Sequence, residues 1–418
     1  MFKKIFSTIF CLALCISASA QRGPLVWRMS EIEALRGDEA FLKMADRYCG
    51  LQRATVMDKP YSVTGDFHTY ESIASYVWPD PEHPGQYIVR DGVFNPDCDK
   101  FDRTAIFSYT RNLMVLGKAY YLTGKAKYRR AWLRQINAFH FDRRTCMRPN
   151  FNHGQMIVGK RPGNLGEPGG IIDAYHFVNV TESVRLMDSL GAVPARTMKR
   201  LQEWFGDFCT WLVESELGRE EATRANNHAT AYDVLVCVLA EFCGRQDLYE
   251  RVSGEFVARR LDTQIMPDGT QPQELVRTKP MRYSMYNLLH FVDFCYLQQS
   301  LGHDFYLEHK DRLDKAFAYI IAYLGRHDEF PWPNINDAAS DEEYARVQVC
   351  RLEGLKGAEN AFDYDALRIP AHTHSDDLLQ DILNWEFEMF DYDDALTAPN
   401  RTAAKKAIED YWSDKCDF

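Results

Sequence analysis

The chain has 418 residues, a formal net charge of −11 and an aromatic content of 13%. So acidic a chain is a poor partner for nucleic acid. Any polyanion it takes must be met by a local basic cleft and not by the field of the whole molecule.

The first residues, MFKKIFSTIFCLALCISASAQ, read as a secretory leader. Lys3 and Lys4 precede an apolar run from Ile5 to Ile16, and Ala18-Ser19-Ala20 supplies small residues for cleavage before Gln21. A lipid anchor on Cys15 is disfavoured by the bulk of Leu14. Residues 1–20 are thus expected to be removed and the mature protein exported, to the periplasm or beyond. No later run is long and uncharged enough to span a membrane. Loss of Cys11 and Cys15 leaves nine of the 11 cysteines, an odd number without paired CxxC motifs, so neither a zinc site nor a disulfide framework is expected. Cys209, Cys237, Cys243 and Cys295 lie in apolar helical patterns and read as small core residues.

The mature chain, 21–418, is expected to form one domain. Its N-terminal part, 21–99, predicts a short amphipathic helix over Ser30 to Gly50, then a loop or lid from Trp78 to Asp99 with a short strand at Gln86 to Val89. From Arg103 the period changes to long amphipathic helices, Thr104 to Leu122 and Ala126 to Phe141. Later helices are expected to stop at Gly191, Gly218, Gly244, Gly302 and Gly325, where glycine relieves the left-handed cap. Helical hairpins in tandem predict an all-α fold, an incomplete (α/α) toroid, with further helices over 341–418.

Four polar loops interrupt this rhythm: Pro149 to Gly170, Arg224 to His228, Met266 to Gln273 and Pro331 to Ser340. Loops on a rigid scaffold are the usual home of function. The third leads into RTKPMRYSMYNL, where Arg277, Lys279, Arg282, Tyr283 and Tyr286 gather cations and phenols within three turns. Such a set suits an anionic sugar, although a solvated basic face has the same composition. Asn226, Asn227 and His228 place two amides and an imidazole at a helix start, which favours anions. A helix cap and a core histidine would also explain them.

Together these residues supply what β-elimination from a uronic acid requires. Donors around the carboxylate stabilise the charge that develops as C5 loses its proton. A base takes that proton and an acid protonates the departing O4. Tyrosine can serve in either role, and the cations beside Tyr283 are expected to favour its phenolate.

The segments MRPNFNHGQMIVGKRPGNLGEPGGIIDAYHF (Met147 to Phe177), YYLTGKAKYRRAWLRQINAF (Tyr120 to Phe139), Asn226 to His228 and ELVRTKPMRYSMYNL (Glu274 to Leu288) resemble, in order, motifs of the alginate-lyase domain. That domain belongs to the α/α-toroid uronate lyases, and the resemblance covers roughly residues 100 to 300. It implies that Asn227 and His228 neutralise the substrate carboxylate with help from Arg277. Tyr283 would donate the proton to O4 and, for some linkages, also act as base, with His228 the alternative base. The Arg277-to-Tyr283 spacing is one residue shorter than the family pattern, with Pro280 between them.

Asn152, His153, Gln155, Lys160 and Arg161 are candidates to support the site from the glycine-rich loop. Lys279, Arg282, Tyr286, Trp332 and Asn336 are candidates to touch neighbouring sugars. No metal-ligand spacing or cofactor motif is present in the sequence, and a metal-independent reaction by a monomer on an acidic polysaccharide is expected. The expected activity is a polysaccharide lyase on a 1,4-linked polyuronate, alginate first, leaving 4,5-unsaturated uronate ends. Alternatives are a lyase on glucuronan or a glycosaminoglycan, or a glycoside hydrolase using a pair from Asp173, Asp233, Asp268 and Glu274. A non-catalytic glycan-binding protein would bind without shortening the chain.

Overall fold

The computed structural model describes residues 23–336 and 338–356. The expected leader, and residues 357–418 of the expected C-terminal helices, lie outside the described residues. The helices are α1 (Met29–Ala34), α2 (Glu39–Gly50), α3 (Arg103–Thr123), α4 (Ala126–Ile136), α5 (His176–Ser189), α6 (Ala195–Glu214) and α7 (Glu216–Glu221). They continue with α8 (Asn227–Phe242), α9 (Gln246–Phe256), α10 (Asp262–Gln264), α11 (Pro272–Leu275), α12 (Pro280–Ser300), α13 (Phe305–Ile321) and α14 (Ala338–Lys356).

The order of packing is that of an α/α toroid. An inner series runs α3 against α5, α5 against α8, α8 against α12 and α12 against α14, while α4, α6, α9 and α13 pack outside it. The sequence sets this sorting. In α8 and α12 nearly every side chain is buried, whereas α6 buries only the stripe Leu201, Trp204, Phe205, Phe208, Cys209 and Leu212. Helices buried all round belong inside and one-striped helices outside. The chain is therefore all-α, as its periodicity predicts.

Strands are few and short. β1 (Glu71–Ile73) pairs in parallel with β4 (His153–Met156), and β2 (Val77–Pro79) forms an antiparallel hairpin with β3 (Tyr87–Val89). The hairpin falls in the stretch expected to be a lid, and β3 matches the expected strand. The amphipathic run from Ser30 is split into α1 and α2 by Gly37, which takes φ 86°. The helix expected to reach Phe141 ends as a π-turn over Asn137–Phe141. All seven described cysteines with an assigned state are free thiols, and Cys209, Cys237 and Cys295 are buried.

The glycine stops hold with one exception. Gly124 ends α3 at φ 65°, its N–H donating to the Tyr120 carbonyl, and Gly191, Gly244, Gly302 and Gly325 also take positive φ. Gly218 instead lies inside α7. A Cβ there would stand 1.7 Å from the carbonyl oxygen of Leu212, so glycine is required by close approach and not by a cap.

Candidate active site

Inside the toroid lies a cavity of about 510 Å³, lined by α3, α8, α12 and α14, the β2–β3 hairpin and the segment around Trp27. Its lining carries Arg28, Arg103, Arg111, Lys118, Arg277, Arg282 and Arg351 against Glu31, Asp173 and Asp293. A strongly acidic chain has thus collected a surplus of cations in one cleft, as an anionic ligand requires.

The start of α8 supplies three of the sequence candidates, of which Asn227 and His228 line the cleft and Asn226 does not. Asn226 is its N-cap, extended at φ −133°, but the side chain makes no capping bond and its buried Oδ1 has no partner. Asn227 is nearly inaccessible at 1% exposure, with its backbone N–H and Nδ2 donating to the two oxygens of Glu274 at 2.7 and 2.6 Å. Glu274, on α11, fixes the plane of the amide that faces the cleft. Burial pushes the Glu274 carboxyl up, and the two Asn227 bonds oppose that rise.

His228 is one-fifth exposed into the cleft, and its Nδ1 lies 2.7 Å from Oε1 of Glu221. Glu221 is fully buried, and its other oxygen is 2.6 Å from Arg224 Nε. A carboxylate only accepts, so Nδ1 carries the hydrogen, and in the neutral ring Nε2 keeps the lone pair. Gly169 packs against the ring, where a Cβ would come within 3.3 Å of Cε1.

Tyr283 comes from the first turn of α12. Its hydroxyl donates to the Tyr76 hydroxyl at 2.8 Å, and the Arg277 guanidinium lies over its ring at 3.9 Å. Burial pushes the Tyr283 phenol well above its ordinary value; Tyr76 adds to the rise and the Arg277 charge only opposes it. The expectation of a favoured phenolate is therefore not met. The reason is partly that Arg277 answers another charge, with Nε and Nη2 gripping Asp91 at 3.1 and 2.5 Å. Burial acts against ionised Asp91, but the Arg277 fork and Thr278 hold it below the usual carboxylate range.

Three further candidates line the cavity. Gln155 stands in the left-handed region at φ 48°, its Nε2 donating to Asp173 at 3.3 Å. The glycines around it allow this: a Cβ on Gly166 or Gly170 would overlap the backbone of Gly154. Arg282 stacks over Tyr344 at 4.4 Å, and Tyr286 lies edge-on to the buried His290.

The remaining candidates are absent from the lining and make other contacts. Asn152 accepts from Trp211 Nε1, His153 Nδ1 meets the Asn164 carbonyl, Lys160 pairs with Glu167, and Arg161 donates to the Gly166 carbonyl. Trp332 donates to Tyr319, Asn336 donates to Asp341, and Lys279 is the N-cap residue of α12. Polar side chains in these loops hold the loops themselves. Tyr76, Asp91 and Glu221 were not singled out in the sequence. Their partners lie 207, 186 and 7 positions away, and only the last spacing is local enough to be seen there.

The carboxylates considered for hydrolysis are dispersed. Asp233 is buried against Arg260, Glu274 holds Asn227, and Asp268 turns its own exposed loop through Thr270. Asp173 alone lines the cleft, and it accepts from Tyr70, Ser72 and Gln155. What the cleft does bring together is an imidazole lone pair, a protonated phenol, an amide and an excess of cations. Such a set can accept one proton, deliver another and hold a carboxylate between them.

Fold, cleft and relatives together define a polysaccharide lyase. The chain belongs to the alginate lyase family, whose model matches residues 55–332. It is similar to the crystal structure of an alginate lyase from Bacteroides ovatus, at 30% identity and a TM-score of 0.79, covering 87% of this chain and 99% of that one. A more distant likeness is to alginate lyase A1-III from Sphingomonas species A1, at 14% identity and a TM-score of 0.47, over 80% of this chain and 90% of that one. No curated protein matches the chain.

Proposed function

We propose that this lyase is exported after loss of residues 1–20 and acts as a single-domain monomer on a 1,4-linked polyuronate, alginate first, by metal-independent β-elimination. The observation that carries the reading is the convergence of Asn227, His228 and Tyr283 on one cleft with a cation excess. The likeness to an alginate lyase at 30% identity supports the choice of polymer.

In this reading Asn227, with the cations around it, holds the carboxylate and stabilises the charge that grows as C5 is deprotonated. His228 is the base. Its Nδ1–H is held by Glu221, so the lone pair on Nε2 takes the C5 proton. The C5–H electrons form the C4=C5 double bond, and the C4–O4 bond breaks. Tyr283, kept protonated by burial, delivers its proton to O4, with Tyr76 orienting the hydroxyl. The products are a 4,5-unsaturated non-reducing end and a chain whose departing oxygen, now protonated, is the C1 hydroxyl of a new reducing end. Every group this step needs is a side chain of the protein.

Tyr283→Phe removes only the transferable proton and keeps the ring under Arg277. Turnover should fall by about 10²- to 10⁴-fold while oligouronate binding stays within a few-fold. Near-normal turnover in the folded variant would remove Tyr283 from the mechanism.

A further inference from the structure

The resemblance of its segment gives Arg277 a share in meeting the substrate carboxylate, but that side chain already has an anion. Its Nε and Nη2 donate to the two oxygens of Asp91 at 3.1 and 2.5 Å, and its guanidinium lies over the Tyr283 ring at 3.9 Å. Two other arginines of the lining are likewise paired, Arg28 with Glu31 at 3.3 Å and Arg351 with Asp293.

Arg282 lines the same cleft and is held differently. Among the described residues no carboxylate pairs with it, and its contact is the ring of Tyr344, centred 4.4 Å from the guanidinium. It stands in the first turn of α12, which holds no acid, and a helix start disfavours a cation, so its own element does not offset the charge. Tyr286 is four residues on, on the same face of the helix. Burial pushes the Tyr286 and Tyr344 phenols up, and the Arg282 charge opposes both rises. Arg282 is itself half-buried, and a desolvated guanidinium without a counter-ion gains most from a bound anion. Its planar fork suits a carboxylate, which it meets with two parallel hydrogen bonds.

We propose that Arg282, and not Arg277, is the arginine that binds the carboxylate of a uronate in the cleft. The assignment rests on the polyuronate reading above and names the residue that recognises the acid. Arg277 then acts as a positioning residue, through Asp91 and the Tyr283 ring. Removal of the Arg282 charge should cost the protein its preference for an acidic sugar over a neutral one of the same shape.

The test compares a mannuronate trisaccharide with its carboxyl-reduced counterpart, by calorimetry on the full mature chain carrying Tyr283→Phe, so that the ligand is not consumed. The readout is the Kd of the reduced sugar divided by that of the acid. Arg282→Gln should lower this ratio at least about tenfold and weaken the salt dependence of trisaccharide binding, as loss of hydrogen bonds between charged groups implies. Arg282→Lys keeps the charge and should restore most of the ratio. Arg282→Met, which keeps a stem over Tyr344, is the neutral variant to use if Gln folds poorly. The pair Asp91→Asn with Arg277→Gln should keep the ratio, because both charges leave together. An unchanged ratio in a folded neutral Arg282 variant, or a collapse of the ratio in the folded pair, would overturn the assignment. A ratio near one with Arg282 in place would overturn the polyuronate reading as well. Loss of the ratio in the Arg282 variants, with no absorbance rise on any uronate when Tyr283 is present, would leave Arg282 standing and overturn elimination instead.

Discussion

Replacing Glu221 by Gln tests how the imidazole is prepared for its role. The carboxylate has no exposure and holds His228 Nδ1 at 2.7 Å and Arg224 Nε at 2.6 Å. Gln has the same shape but no charge, and its amide can turn a donor toward Nδ1, which would shift the ring hydrogen to Nε2. A hydrogen bond to a charged group contributes about 1.5–3 kcal/mol. Loss of one such bond in the transition state lowers kcat/KM by about 10- to 150-fold. Outer partners of this kind fix both the tautomer and the orientation of an active histidine. The assay is the initial rate of unsaturated product formation, with a thermal melt of each protein to confirm folding. A folded Glu221→Gln enzyme within twofold of the parent rate would refute the tautomer argument and return His228 to a packing role.

Two further predictions concern pH and stability. Burial raises the Tyr283 phenol well above 10, so the protonated donor persists as pH rises, and kcat/KM should show no alkaline fall below about pH 10. A rate that climbs in proportion to hydroxide across that range would instead make the Tyr283 phenolate the base. Gly218→Ala should lower the stability measured by denaturant unfolding by about 3 kcal/mol or more, because the new methyl meets a backbone carbonyl. Gly206→Ala, in the middle of α6 with nothing within 4 Å, should raise it by about 0.5–1 kcal/mol. Equal effects of the two would contradict the close-approach explanation for Gly218.

The architecture was legible because helical period and glycine stops are local signals. That Asn227, His228 and Tyr283 reach one cleft was expected from polar groups at helix starts and from the resemblance of their segments to the alginate-lyase domain. The residues that prepare them were not. Tyr76 and Asp91 lie in an irregular stretch, and only folding brings them to α12. The polar glycine-rich loop misled in the other direction. Its glycines serve backbone-to-backbone contact, and Asn152, His153 and Arg161 bond to the loop or its support, with Gln155 alone reaching the cleft. The stripe of Arg103, Arg111 and Lys118 on α3 is visible as spacing in the sequence, but an amphipathic helix of this kind gives no sign of whether such a stripe faces solvent or a cavity.

The most direct test of the account is an ultraviolet time course of the purified mature protein. The panel holds mannuronate-rich and guluronate-rich alginate, glucuronan, hyaluronan, chondroitin and pectate, with reducing ends counted in parallel. The account predicts rising absorbance on alginate, matched by new reducing ends and unchanged by a chelator. A flat absorbance with growing reducing ends would contradict elimination and point to hydrolysis.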